Sequence, residues 1–75
     1  MNYVFLEVKA FHSKDNKEIY VLSVLDVDNL VVQKIFINKE QFDVLQDFNM
    51  FDDISHMLVF RYNREKMCYQ LAFAN

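Results

Sequence analysis

The chain contains no glycine, no proline and no tryptophan, and only one cysteine, Cys68. Each absence closes off a class of structure. Without glycine there is no glycine-rich loop to cradle a phosphate. Every left-handed turn position must also be filled by a residue with a Cβ. Asparagine and aspartate tolerate that conformation best, so turns are predicted at Asp15-Asn16 and through Asp28 and Asn29. A single cysteine excludes an internal disulfide, and the two histidines come with no CxxC or HxxxH spacing, so no metal site is expected. No apolar run approaches the ~18 residues of a membrane span. The first residues show no basic segment leading into an apolar stretch with a small-residue cleavage site. A reducing cytoplasm is therefore the expected location.

What is present is apolar and aromatic. The 75 residues are 53% apolar and include eight Phe and four Tyr. A chain of this length buries only about 60% of its unfolded surface, which leaves more apolar area than a monomer hides easily, so a homodimer is expected. Eight Lys and Arg against eleven Asp and Glu give a net charge of −3, but the charge is unevenly distributed. Five carboxylates (Glu40, Asp43, Asp47, Asp52, Asp53) fall within residues 40–53 with no base among them. The remaining six acids meet eight bases, so the rest of the chain is +2.

Periodicity divides the chain into five strands and one helix, read as a single domain over residues 1–75. Residues 3–11 alternate, with Val4, Leu6, Val8 and Ala10 on one face and Tyr3, Phe5, Glu7, Lys9 and Phe11 on the other. Residues 18–26 are almost continuously apolar, the pattern of a central strand covered on both faces. Residues 30–37 form a third strand. The spacing then changes. Asn38 followed three positions later by Gln41 is a capping box, with Ile37 and Phe42 at staple positions, so a helix begins here and runs to Asn49. Its apolar face takes Phe42 and Leu45 with Val44 and Phe48, and Asp43 and Asp47 face water. Residues 54–62 and 66–74 form a closing hairpin. A turn centred on Arg64 and Glu65 would set Tyr62 against Met67, Phe60 against Tyr69, Leu58 against Leu71 and His56 against Phe73.

Catalytic constellations are missing. Ser55 and His56 are sequence neighbours on one expected strand and so point apart, which is no nucleophile and base pair. Cys68 reads as a small buried hydrophobe and His56 as a core-edge histidine. Asp26/Asp28 and Asp52/Asp53 read as turn carboxylates that accept backbone hydrogen bonds. No enzyme activity and no cofactor are expected. What remains is rings and cations on strands: Tyr3, Phe5, Tyr20, Phe36, Tyr62 and Tyr69 with Lys9, Lys14, Lys17, Lys34, Arg61, Arg64 and Lys66. Exposed rings stack on the bases of single strands while cations follow the phosphates.

A mainly β chain ordered β-β-β-α-β-β has the element order of the OB-fold, a small five-stranded barrel or strongly curved sheet with one helix between strands three and four. Lys14-Asp15-Asn16-Lys17-Glu18-Ile19-Tyr20-Val21-Leu22, followed by Lys34-Ile35-Phe36-Ile37-Asn38-Lys39-Glu40-Gln41-Phe42, resembles short single-stranded DNA-binding proteins of phages and mobile elements in Gram-positive bacteria. The resemblance implies a barrel that binds a DNA strand across strands two and three, clamped by the first and last hairpin loops. By position it points to Lys14, Lys17, Tyr20, Lys34, Phe36, Arg61, Tyr62 and Arg64. Such barrels bend their first strand at a glycine, which this chain lacks. A second expectation comes from the acidic stretch: a protein-interaction domain that uses Asp43, Asp47, Asp52 and Asp53 against a host protein, such as an inhibitor of a nucleic-acid-binding protein.

Overall fold

Asn38 starts the helix as its side chain dictates. Its Oδ1 accepts from the Gln41 backbone N–H at 2.8 Å, and the Gln41 Oε1 accepts from the Asn38 N–H at 3.0 Å. In this computed structural model, which describes residues 2–74, that helix is α1 (Lys39–Leu45). It is preceded by β1 (Tyr3–His12), β2 (Glu18–Asp26) and β3 (Val31–Ile37), and followed by a 3-10 turn (Ser55–Met57), β4 (Leu58–Asn63) and β5 (Cys68–Phe73). The helix stops four residues short of Asn49. Its last turn carries no basic residue, and Asp43 and Asp47 put negative charge where the helix dipole is already negative. Leu45 is fully buried, Phe42 is half-buried, and Val44, expected inside, is exposed.

The strands make two antiparallel sheets, a three-stranded β1-β2-β3 and a two-stranded β4-β5. No ladder among the described residues joins them into a closed barrel. They meet in two other ways. The segment before β4 runs along the β1 edge, with a bridge between Val4 and Asp53 and backbone bonds from Phe5 to Asp52 (2.8 Å) and from Ile54 to Tyr3 (3.1 Å). The Ser55 hydroxyl accepts from the Tyr3 N–H at 2.8 Å. On the other side β5 lies beside β3 and leaves a cleft between them.

The first strand departs from simple alternation. Its register against β2 shifts between Phe5 and Glu7, so Phe5 stands opposite Val24 while Glu7 stands opposite Ser23. The extra residue is a bulge, and it reverses which face the odd-numbered side chains occupy. Tyr3 and Phe5 therefore enter the core, while Glu7, Lys9 and Phe11 line a hollow on the other face. The chain bends its first strand without glycine. The core itself is Tyr3, Phe5, Leu22, Val24, Ile35, Leu45 and Ile54, with Val8, Leu58, Leu71 and Phe73 packed against it. Central β2 is buried on this inner face, whereas Val21 and Leu25 on its outer face are only half-buried.

Three left-handed positions fall to residues the sequence did not suggest. Asn16 adopts φ 60° as expected, but Leu30 (55°), Phe51 (73°) and Met67 (52°) take the others. Such conformations cost on the order of 1–2 kcal/mol for residues with a Cβ. At Leu30 the reason is Asp26. Its carboxylate accepts from the backbone of Asp28 and Asn29 and from the Asn29 amide, which ties Asn29 into the turn and leaves the left-handed position to the next residue. At the last hairpin, Asn63 Oδ1 accepts from the N–H groups of Glu65 (2.9 Å) and Lys66 (3.1 Å). That lengthens the loop and shifts the register by two. Tyr62 faces Tyr69, Phe60 faces Leu71 and Leu58 faces Phe73. His56 is exposed in the 3-10 turn rather than paired in a strand, and Cys68 is exposed rather than buried. Because the shift is even, the same side chains share each face as in the expected register.

Candidate nucleic-acid interface

The ladders fix what stands beside what on the outer face of the large sheet. One row across it is Glu7, Ser23 and Lys34; the next is Lys9, Val21 and Phe36. A hollow of about 210 Å³ opens over these rows, with Phe11 at its edge. Phe36, the last residue but one of β3, is 77% exposed, and its place in the ladder opposite Val21 sets its ring on the outer face. Lys34 and Phe36 also wall the β3–β5 cleft of about 300 Å³, whose far side is Lys66, Gln70 and Leu71. Gln70 and Ala72 in turn border an open hollow of about 510 Å³ on the hairpin, lined by Arg61, Tyr62, Asn63 and Arg64. The three depressions share walls and form one strip from β1 to the hairpin tip.

The strip carries five cations (Lys9, Lys34, Arg61, Arg64, Lys66) against two carboxylates, Glu7 and Glu65, and most of its cations are free. Among the described residues the ion pairs are Lys9 with Glu7 at 3.3 Å, Lys39 with Asp43 at 3.4 Å and His12 with Glu18 at 3.9 Å, all exposed. Lys34, Lys66 and Arg64 have no carboxylate partner, and Arg61 donates only to the Ala74 carbonyl, at 3.4 Å. A guanidinium or ammonium group without a protein partner can meet a phosphate without first breaking a bond.

The residues singled out from the sequence divide accordingly. Lys34, Phe36, Arg61, Tyr62 and Arg64 line the strip. Lys14 and Lys17 are exposed on the β1–β2 loop, where the Lys17 N–H donates to the Ser13 hydroxyl; they line none of the three depressions. Tyr20 is on the inner face. Its ring packs on Phe42 with centroids 4.8 Å apart, and its hydroxyl donates to the Glu18 carboxylate. That hydrogen bond, then burial, pushes the phenol pKa above its ordinary value. Tyr3 and Phe5, also named as rings, are core residues, and burial raises the Tyr3 phenol. Tyr69 is exposed and meets Tyr62 edge-on, with centroids 5.3 Å apart and planes at 74°. Phe11 was missed among the rings. Its sequence signal is the i, i+2 spacing from Lys9, which puts both on one face of a strand.

The acidic residues lie elsewhere. Helix α1 covers the inner face through Leu45 and Phe42, away from the strip, and Glu40, Asp43, Asp47, Asp52 and Asp53 are exposed on it and on the turn that follows. Two of them hold that turn together. Asp52 accepts from the Asn49 N–H at 2.8 Å and Asp53 from the Ser55 N–H at 2.9 Å. The Ser55 backbone bond is the main reason the Asp53 carboxyl titrates below its ordinary range. The described residues contain no cluster of three or more His, Cys, Asp or Glu able to hold a metal ion, and no helix long and apolar enough to cross a membrane. Against models of protein families, curated proteins and solved structures, the chain has no match.

Proposed function

We propose that the chain is a non-enzymatic module that binds single-stranded DNA along the outer strip, in the manner of an open OB barrel. The observation that carries the reading is Phe36, an exposed ring near the end of β3, with Lys34 two residues before it on the same face, Lys9 two strands away in the same row beyond Val21, and the unpaired Lys66 across the cleft. The ring lies between two depressions and borders both. A stacked base would remove it from water and bring the adjacent phosphates to the ammonium groups. Two packing features support the barrel-like arrangement: β5 beside β3, and residues 51–54 bonded to the β1 edge. They are the two seams at which an OB barrel closes, here spanned by a cleft and a short bridge in place of full ladders. The resemblance of residues 14–22 and 34–42 to short phage and mobile-element DNA-binding proteins supports the same reading.

A fluorescence-anisotropy titration with labelled oligo-dT at low salt tests it. Binding should be micromolar or tighter at about 50 mM salt and weaken steeply by about 200 mM, as release of several counterions requires. Absence of micromolar binding at low salt removes the reading.

A further inference from the structure

We propose that the Met50–Phe51 turn of one molecule docks into the Phe36 hollow of a second copy, so that the protein masks its own strip by head-to-tail contact. The turn is an unusual object. Asp52 N–H donates to the Asn49 carbonyl at 3.0 Å, which closes a four-residue β-turn with Phe51 at its third position and φ 73°. That position calls for glycine, or asparagine, and a phenylalanine there raises the energy of the fold. The turn is nonetheless rigid. Phe51 N–H donates to the Phe5 carbonyl at 2.6 Å, and the Asp52 carboxylate accepts from Asn49. Both apolar side chains of this tethered turn face water, Met50 at 61% and Phe51 at 63% exposure. In a chain without glycine the left-handed position itself follows from the turn, as at Leu30 and Met67; what sets this turn apart is that two adjacent large apolar side chains stand exposed between carboxylates, which points to a contact made outside the chain.

Charge selects the occupant's counterpart. The knob is flanked by Asp47, Asp52 and Asp53 in a stretch without a base. It suits an apolar hollow with a free cation at its rim, and this chain carries one: Phe11, Val21 and Phe36 bordered by Lys34, which has no carboxylate partner, and by the Lys9–Glu7 ion pair. In its own molecule the turn is bonded to the Phe5 end of β1 and does not line that hollow. The two halves can therefore meet only between copies. Each copy carries both knob and hollow, so a copy that receives a knob can return its own across a two-fold axis or pass it on into a chain or ring. The contact does not depend on the strip binding DNA, although it occupies the same ring and lysines.

Complementation of two defective variants gives the test. Sedimentation equilibrium of the wild-type chain at low salt should show a mass that rises with concentration from the monomer to the dimer or beyond and falls back as salt screens the rim. F51G should weaken association roughly ten-fold or more, as loss of a central aromatic anchor does. Its melting temperature should hold or rise because the left-handed strain is relieved, which separates lost contact from lost fold. F36A with K34E should weaken association equally. Mixed, the two variants should form a one-to-one complex and go no further, because one retains the hollow and the other the knob. A wild-type chain that stays monomeric into the millimolar range overturns the proposal and leaves the knob for a foreign basic protein. So does association that F51G leaves intact, or a mixture that fails to pair. Saturating oligo-dT should dissolve the wild-type assembly. If oligo-dT does not bind at all while the complementation succeeds, the DNA-binding reading falls and the self-docking stands.

Discussion

The three-stranded sheet and the β4–β5 hairpin are built from similar residues, yet only the sheet owns a buried interior. Strands β1 to β3 contribute Tyr3, Phe5, Leu22, Val24 and Ile35 to the core, whereas no residue of β4 or β5 is fully buried and Leu58, Leu71 and Phe73 merely lean on it. Two strands alone are marginal in water. The hairpin is held by its contact with the sheet and with the segment before it. Stability is therefore concentrated in the sheet, and much of the strip's cationic chemistry sits on the less stable partner, which is where adaptable binding surfaces are drawn from.

The comparison breaks first at the core. Leu22→Ala removes a fully buried side chain from the central strand and should cost about 2–5 kcal/mol in a urea titration, while Leu71→Ala on the half-buried hairpin should cost clearly less. Equal losses would mean that the two sheets form a single cooperative core. Native-state hydrogen exchange sharpens the same point: β2 amides should exchange only on global unfolding, and β4–β5 amides earlier. Next in size is binding. Phe36→Ala should weaken oligo-dT by about 1–3 kcal/mol with little change in melting temperature, because the ring is exposed. Lys34→Ala should lower the slope of log affinity against log salt by about 1. If hairpin variants such as Arg64→Ala leave affinity untouched, the strip ends at the β3–β5 cleft.

A smaller effect lies in the acid range. Hydrogen bonds from the Asn29 amide and from the Asn29 and Asp28 N–H groups hold the Asp26 carboxyl below its ordinary value. Its charged form thus favours the fold, and that contribution is complete above the unfolded carboxylate value near 4 and is lost as pH falls through the depressed one. Asp53 acts in the same direction from the hairpin side. Thermal melts from pH 7 down to 2.5 should show the loss, and Asp26→Asn should flatten it. Smallest is Met67→Gly, which relieves the left-handed position in the hairpin loop and should stabilise by roughly 0.5–1 kcal/mol by chemical denaturation.

The elements legible in the sequence are those whose signals are local. The capping box at Asn38 and Gln41 and the limits of β2 at Glu18 and Asp26 appear as expected, because each rests on side chains within one turn or one strand. The hairpin register was not legible. Arg64-Glu65-Lys66 suits a two-residue or a four-residue loop equally, and the choice is made by Asn63 reaching over to two N–H groups. Nor was the early end of α1, since Val44, Leu45 and Phe48 continue a helical apolar spacing, and Phe48 still packs against the core from beyond the helix end, its ring 5.8 Å from that of Phe5. Of the site, Lys34 and Phe36 could be read from alternation in β3. Tyr20 looked equivalent to them but points to the helix, because its neighbours Leu22 and Val24 fix the inward face of the same strand.

The bulge at Leu6 has a consequence for how such a surface could arise or vanish. Because side chains in a strand change sides with every residue, one inserted position near the amino end exchanges the surroundings of everything after it up to the loop. Taking Leu6 into the ladder as an ordinary residue would drive Lys9 and Phe11 toward the interior and bring Val8 and Ala10 to water, whereas deleting it would leave Glu7 opposite Ser23 and Lys9 opposite Val21 and keep the edge of the strip. One residue standing outside the ladder thus decides which side chains of the first strand look outward and which look into the core.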